Sequence, residues 1–251
     1  MKLKEFGSGN EETIILLHGG GLSWWNFQAE AEILQSDYHV VLPILDGHAG
    51  SDRPFSSIED NAAELIATID EALGGNVQLI GGLSLGAQIA LEMLAQRRNI
   101  CRYALIESAS VIPSKLTNAL IGPAFGSSYG LIKNRRFAKM QFKSLHMNDT
   151  FFEAYYRDTC KIAKADMIAF LKANTAYSLK PSIADTSARV HVLAGGKENR
   201  EILQSVDVIK NRIPGCAAHI LPDLFHGEFS INHPEQYAAY LRNLAVSQEL
   251  R

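Results

Sequence analysis

Apolar residues along the chain fall into short continuous runs that alternate with longer stretches at helical spacing. The runs are Thr13–Leu17 (TIILL), His39–Leu42, Val77–Ile80, Tyr103–Ile106, Val190–Ala194 and Ala217–Leu221. Each is bounded by turn formers and too short for a helix, so each reads as a buried strand. Between them, Ala29–Leu34, Asp60–Leu73, Ala87–Leu94, Leu203–Ile209 and Pro234–Val246 repeat apolar residues every three or four positions. Strands alternating with helices predict a parallel sheet covered on both faces. Sites in such sheets lie beyond the carboxyl ends of the strands.

The stretch from Ser108 to Ser187 breaks this rhythm. It has helical patterns and no clear strand, and it holds ten aromatic residues between Phe125 and Tyr177. It reads as a helical cap inserted over the carboxyl edge, with the core formed by residues 1–107 and 188–251. Its rings are expected both to wall a mostly apolar pocket and to form the insertion's own core.

The chemistry concentrates where strands end. Val77–Ile80 runs into Gly81-Gly82-Leu83-Ser84-Leu85-Gly86 and then a helical pattern. A strand that reverses into a helix so quickly strains the serine backbone, and glycines on either side let strand and helix approach. The serine oxygen is then exposed, with the helix N-terminus aimed at the same point. Thr13–Leu17 likewise ends in His18-Gly19-Gly20-Gly21. Gly20 or Gly21 would donate one N–H to an oxyanion and Leu85 the other. His18, at a strand end beside glycines, reads as a structural histidine bonded to backbone. Asp46, His48 and Asp52 read as loop-internal hydrogen bonders. Trp24 and Trp25 are expected to pack on the core, with one available to wall a pocket.

A serine hydroxyl needs a base, and histidine titrates near neutrality. Of eight histidines, His226 follows the last strand and precedes the closing helix. An acid must hold its tautomer. Glu198, in a glycine-opened turn beyond a strand, is the candidate, and Glu107, at the end of an earlier strand, is its rival.

Composition narrows the partners. The 251 residues carry a net charge of −3, which gives no reason to expect a nucleic-acid partner. The basic cluster at Lys133–Arg136 reads as a solvated helix face. Three distant cysteines, Cys101, Cys160 and Cys216, suit a reducing compartment. No apolar run approaches a membrane span and the first residues lack a signal-peptide core, so a cytoplasmic location without membrane association is expected. No His-Glu-x-x-His spacing or phosphate loop occurs, so no metal and no cofactor are expected.

The order Ser84, Glu198, His226, preceded by His18-Gly19-Gly20-Gly21, resembles the α/β-hydrolase superfamily. Asp46-Gly47-His48-Ala49-Gly50-Ser51-Asp52 is similar to that family's loop after the second core strand, with Ala49 in place of a glycine. His226-Gly227 and His233-Pro234 are similar to its C-terminal pattern. Glu198 stands where the family more often has Asp. The resemblance implies an α/β-hydrolase fold, with a mostly parallel sheet, helices on both faces and a cap. It also implies hydrolysis through an acyl-enzyme. The expected activity is a serine carboxylesterase acting on small or medium, mostly apolar esters, as a monomer or homodimer. The alternatives are a thioesterase, C–C hydrolase or lyase with the same triad, or a ligand-binding protein on this fold.

Overall fold

The computed structural model describes residues 1–246. Seven strands form one sheet: β1 (Lys2–Phe6), β2 (Thr13–Leu17), β3 (His39–Ile44), β4 (Val77–Leu83), β5 (Cys101–Glu107), β6 (Arg189–Gly195) and β7 (Ala217–Leu221). Their order across the sheet is β1-β3-β2-β4-β5-β6-β7. β1 runs antiparallel to β3, and all other neighbours are parallel.

Period-two alternation explains how a fully apolar strand serves two faces. On β2, Ile14 and Leu16 join one core cluster, while Ile15 and Leu17 join the other. The first cluster also takes residues of α1 (Gln28–Leu34) and of α10 (Pro234–Val246). On the opposite face lie α2 (Ile58–Ala72), α3 (Leu85–Gln96) and α8 (Arg200–Arg212). Ten consecutive residues of α3, Leu85 to Leu94, are buried. This helix is therefore apolar on nearly every side, as a helix enclosed by its neighbours must be.

Three elements depart from the sequence pattern. β1 has a mixed burial pattern, since an edge strand facing solvent needs no apolar run. β3 continues through Pro43, where the hydrophobic run had stopped at Leu42. Parallel pairing with β2 reaches only Val41, so the missing proline N–H removes no bond on that side. A short helix, α9 (Glu228–Asn232), precedes the closing helix; five residues are too few to show a period.

Between β5 and β6 lie α4 (Lys115–Ser128), α5 (Arg135–Lys143), α6 (Phe152–Thr159) and α7 (Lys164–Ala176), with 3-10 turns and no strand. Four of their rings, Phe142, Phe152, Tyr155 and Tyr156, pack on one another, while Phe170 packs on His48 and Phe55 of the core. Phe142 is fully buried between Phe152 at 5.4 Å and Tyr155 at 5.3 Å. The basic residues of α5 point outward while Ala138 and Phe142 point in. Trp25 ties this segment to the core: its indole N–H donates to Asp158 Oδ2 at 2.9 Å, and its ring stacks on Phe151. The described residues contain no helix long and apolar enough to cross a membrane. Cys101, Cys160 and Cys216 are unpaired thiols.

Candidate active site

Strand register sets the site. Leu83 and Glu107, the last residues of β4 and β5, pair with each other, and Glu107 pairs with Leu193, two residues before β6 ends. Leu17 pairs with Gly82, which brings the glycine loop after β2 alongside. Gly195 pairs with Leu221, which aligns the loops carrying Glu198 and His226.

Ser84 occupies the turn between β4 and α3 with φ 53° and ψ −110°. Such a conformation costs a non-glycine residue about 1–3 kcal/mol. It is held by two backbone bonds: Ser84 N–H donates to Glu107 O at 2.9 Å, and Gln88 N–H donates to Ser84 O at 3.0 Å. The flanking glycines are required by space. A Cβ on Gly82 would lie 2.5 Å from the Gly86 carbonyl, and one on Gly86 only 2.1 Å from Leu17 O.

His226 Nδ1 lies 2.6 Å from Glu198 Oε2. Glu198 is a carboxylate acceptor, so Nδ1 carries the proton and Nε2 is left free to act as a base. Glu198 is itself buried and held from the other side. Its Oε1 accepts the Ser108 hydroxyl at 2.6 Å and the Gly195 N–H at 3.0 Å. Burial alone would raise its pKa. The bonds from His226, Ser108 and Gly195 outweigh burial and hold the carboxyl below its ordinary value. Ser108 also accepts the Gly227 N–H at 3.2 Å, bridging the acid loop to the histidine loop.

Glu107, the rival acid, is placed elsewhere. Its Oε1 accepts the Ser230 N–H at 3.2 Å, and its Oε2 has no hydrogen-bond partner. Burial pushes its pKa up to about 7. Its contribution to the serine turn is the backbone carbonyl, while its carboxyl makes no bond to His226.

Two of the three expected oxyanion donors remain available. Gly20 lines the cavity with Ser84, and Leu85 is the first residue of α3, whose N–H has no partner within the helix. Gly21 is a correction. Its N–H donates to His48 Nε2 at 3.0 Å, so that donor is already engaged. His48 Nδ1 in turn donates to Asp46 O at 3.0 Å. Its bonding thus reaches beyond its own loop and ties the glycine loop to it. Burial drives its pKa down to about 4, so it stays neutral as this tautomer requires. His18 is structural as expected: Nδ1 donates to Gly19 O at 2.9 Å, and Nε2 accepts the Leu45 N–H at 3.2 Å.

Ser84, Glu198 and His226 share the wall of one cavity of about 250 Å³. Its apolar lining comes from Leu22, Leu83, Leu145, Met147, Phe225 and Ile231. None of the ten aromatic residues between Phe125 and Tyr177 lines it, nor does either tryptophan. The insertion contributes Ser144, Leu145, His146 and Met147, with His146 stacked on Phe225 at 3.6 Å. Sequence reasoning missed Ser108, His146 and Phe225. Only Ser108 left a signal, as a polar residue directly after a buried strand. Among the described residues no group of His, Cys, Asp and Glu is arranged to hold a metal ion.

The sequence profile of the alpha/beta hydrolase family matches residues 14–240. The chain belongs to this family. A curated relative, an AB hydrolase superfamily protein of Gibberella zeae, is 28% identical over 139 residues, 52% of this chain and 46% of the fungal protein. The chain therefore matches about half the length of that relative. An alpha/beta hydrolase family protein from Desulfitobacterium hafniense superposes with a TM-score of 0.78 at 24% identity, covering 97% of this chain and 99% of its own. A thermophilic esterase from Thermogutta terrifontis gives 0.78 at 17%, covering 97% and 92%. An esterase from Exiguobacterium antarcticum gives 0.79 at 16%, covering 97% and 94%. At these identities the structural likeness speaks for the fold.

Proposed function

We propose that this alpha/beta hydrolase is a serine carboxylesterase. The observation that carries the reading is one cavity wall holding a strained serine and a histidine whose Nδ1 is bonded to a buried carboxylate 2.6 Å away. In the first step Ser84 Oγ attacks the ester carbonyl carbon while His226 Nε2 takes its proton. The N–H groups of Gly20 and Leu85 stabilise the oxyanion. The C–O bond to the alcohol breaks as His226 returns the proton to the leaving oxygen. Water then repeats the attack on the acyl-enzyme and releases the acid. Glu198 orients the imidazole and stabilises its cation.

The apolar side chains of the cavity support a small or medium apolar acyl group. The helices between β5 and β6 act as a cap. The free thiols support a cytoplasmic setting, and a small-molecule ester is the partner, with the protein working as a monomer or homodimer. Thioester or C–C cleavage would use the same three residues. An intact acid–base–nucleophile set supports turnover over ligand binding alone.

A fluorophosphonate probe should label wild-type protein on Ser84. Ser84→Ala should lose both the label and p-nitrophenyl butyrate turnover, by a factor of at least about 10⁴. A labelled or active Ser84→Ala protein would remove this serine from the mechanism.

A further inference from the structure

Ser84 and His226 also line a second cavity, of about 370 Å³, whose lining side chains are mostly polar. Ile202 is the one apolar residue on its wall. The rest are hydroxyl, amide and carboxylate side chains, contributed by the end of β5, by α4 and α7 of the insertion, and by the start of α8. We propose that this polar cavity receives the leaving alcohol, and that the alcohol is a neutral, multiply hydroxylated one such as a glycerol or sugar unit. The proposal rests on the ester-hydrolase reading above and names the substrate class for that site.

The wall has hydrogen-bonding capacity that the protein does not use. Ser110 donates to Glu201 Oε1 at 2.8 Å, leaving Glu201 Oε2 without a partner among the described residues. Asn174 donates from Nδ2 to Gln88 Oε1 at 2.9 Å, which leaves its Oδ1. Asn199 accepts the Ile202 N–H on Oδ1 at 2.9 Å, which leaves its Nδ2. Thr117 Oγ1 accepts the Ser114 hydroxyl at 2.7 Å, so its own O–H is free to donate. These two acceptors and two donors belong to residues that line one cavity together with the nucleophile. A polyol, in which every hydroxyl both donates and accepts, matches this set. A hydrocarbon alcohol would leave the groups unmatched as it displaced their water. Among the described residues no lysine or arginine lines the cavity, and its one free carboxylate disfavours an anionic leaving group.

The assignment to the alcohol side follows from the oxyanion. The acyl carbonyl must reach the Gly20 N–H, and Gly19 and Gly20 line the apolar cavity but not the polar one. The apolar cavity on that glycine side suits the acyl chain. The alcohol departs towards the polar side, where His226 can still protonate it.

The test compares kcat/KM for glycerol 1-butyrate and n-propyl butyrate, which share acyl group and alcohol length. Wild-type protein should favour the glycerol ester about tenfold, as one or two net hydrogen bonds would give. Thr117→Val and Glu201→Ala should each reduce that ratio about threefold. Thr117 is exposed on α4, so its variant should fold even if the Glu201 variant does not. A mirrored pair, n-propyl butyrate against n-propyl 3,4-dihydroxybutyrate, should show no gain from hydroxyls on the acid. A ratio near one in the first pair, or a preference confined to the second, overturns the proposal. Fluorophosphonate labelling of the same preparation separates the two levels. Labelled protein with a ratio near one sinks this inference alone. Protein that takes no label and cleaves neither ester sinks the esterase reading, and this inference with it.

Discussion

The carboxyl edge of the sheet and the helical segment between β5 and β6 together enclose Ser84, yet they are held by different forces. At the edge, position is set by backbone. Strand registers bring Leu83, Glu107 and Leu193 level, and Ser84 N–H is bonded to the Glu107 carbonyl. Gly86 has no space for a methyl group. In the inserted segment, position is set by side chains: an aromatic cluster around Phe142 and an indole clamp from Trp25 to Asp158. Its outer surface still shows Leu116, Leu120 and Met140 to solvent. Backbone constraints fix catalytic atoms to fractions of an ångström. Packing of interchangeable apolar groups tolerates substitution, which suits the part of a site that chooses the substrate.

The sharpest way to break this comparison is Gly86→Ala. Its Cβ would meet Leu17 O at 2.1 Å, so the variant should lose well over ~3 kcal/mol or fail to accumulate as folded protein, read by thermal denaturation. A melting temperature near wild type would show that the edge is not held by close backbone approach.

Next comes the acid. Glu198→Gln should lower kcat for p-nitrophenyl butyrate by about 10²–10⁴, because the amide no longer enforces the Nδ1–H tautomer. Glu107→Gln should cost less than about tenfold, since its carboxyl bonds Ser230 and not His226. The reverse ranking would move the orienting role to β5.

The third prediction concerns pH and stability. Glu107 titrates near 7 when folded and near its ordinary 4.5 when unfolded, so the native state binds more protons between those values. Stability should therefore fall as pH rises from about 4.5 to 7, by on the order of 3 kcal/mol from this group. Glu107→Gln should flatten that decline in urea melts. Glu198 has the opposite sign: its lowered pKa adds stability above about 4.5, lost as acid protonates it. An unchanged slope in Glu107→Gln would mean that the carboxyl is already ionised within the fold.

The smallest effect is expected in the insertion. Gly126 lies inside α4 with open space around a would-be Cβ. Gly126→Ala should stabilise by about 0.5–1 kcal/mol through helix propensity, with activity unchanged. The contrast with Gly86→Ala expresses the comparison in one substitution type.

Much of this was legible in the residues. Six of the seven strands announce themselves as apolar runs; five of them are largely buried, but β7 is an edge strand with no buried residue, where its apolar run predicts a buried one. Ser84, Glu198 and His226 could be nominated because each follows a strand, and parallel strands in one sheet place their carboxyl ends together. β1 carries Lys2, Lys4 and Glu5 among its five residues, so no apolar run marks it. Between Gly20 and Gly21 the sequence leaves both open, because which glycine N–H remains free depends on His48, 27 residues from Gly21 and bonded to it only through the fold.

By itself, then, the sequence determined the alternation of elements, the helical character of the stretch between β5 and β6, and which strand ends carry the candidate serine, histidine and glutamate. These are local properties, readable from period and neighbouring glycines. Tertiary structure alone placed Glu198, and not Glu107, against His226, packed the rings between β5 and β6 on one another and on the core, and set two cavities with different side chains beside Ser84. Those outcomes depend on distances between residues far apart in the chain, and side-chain spacing along a strand or helix carries no information about them.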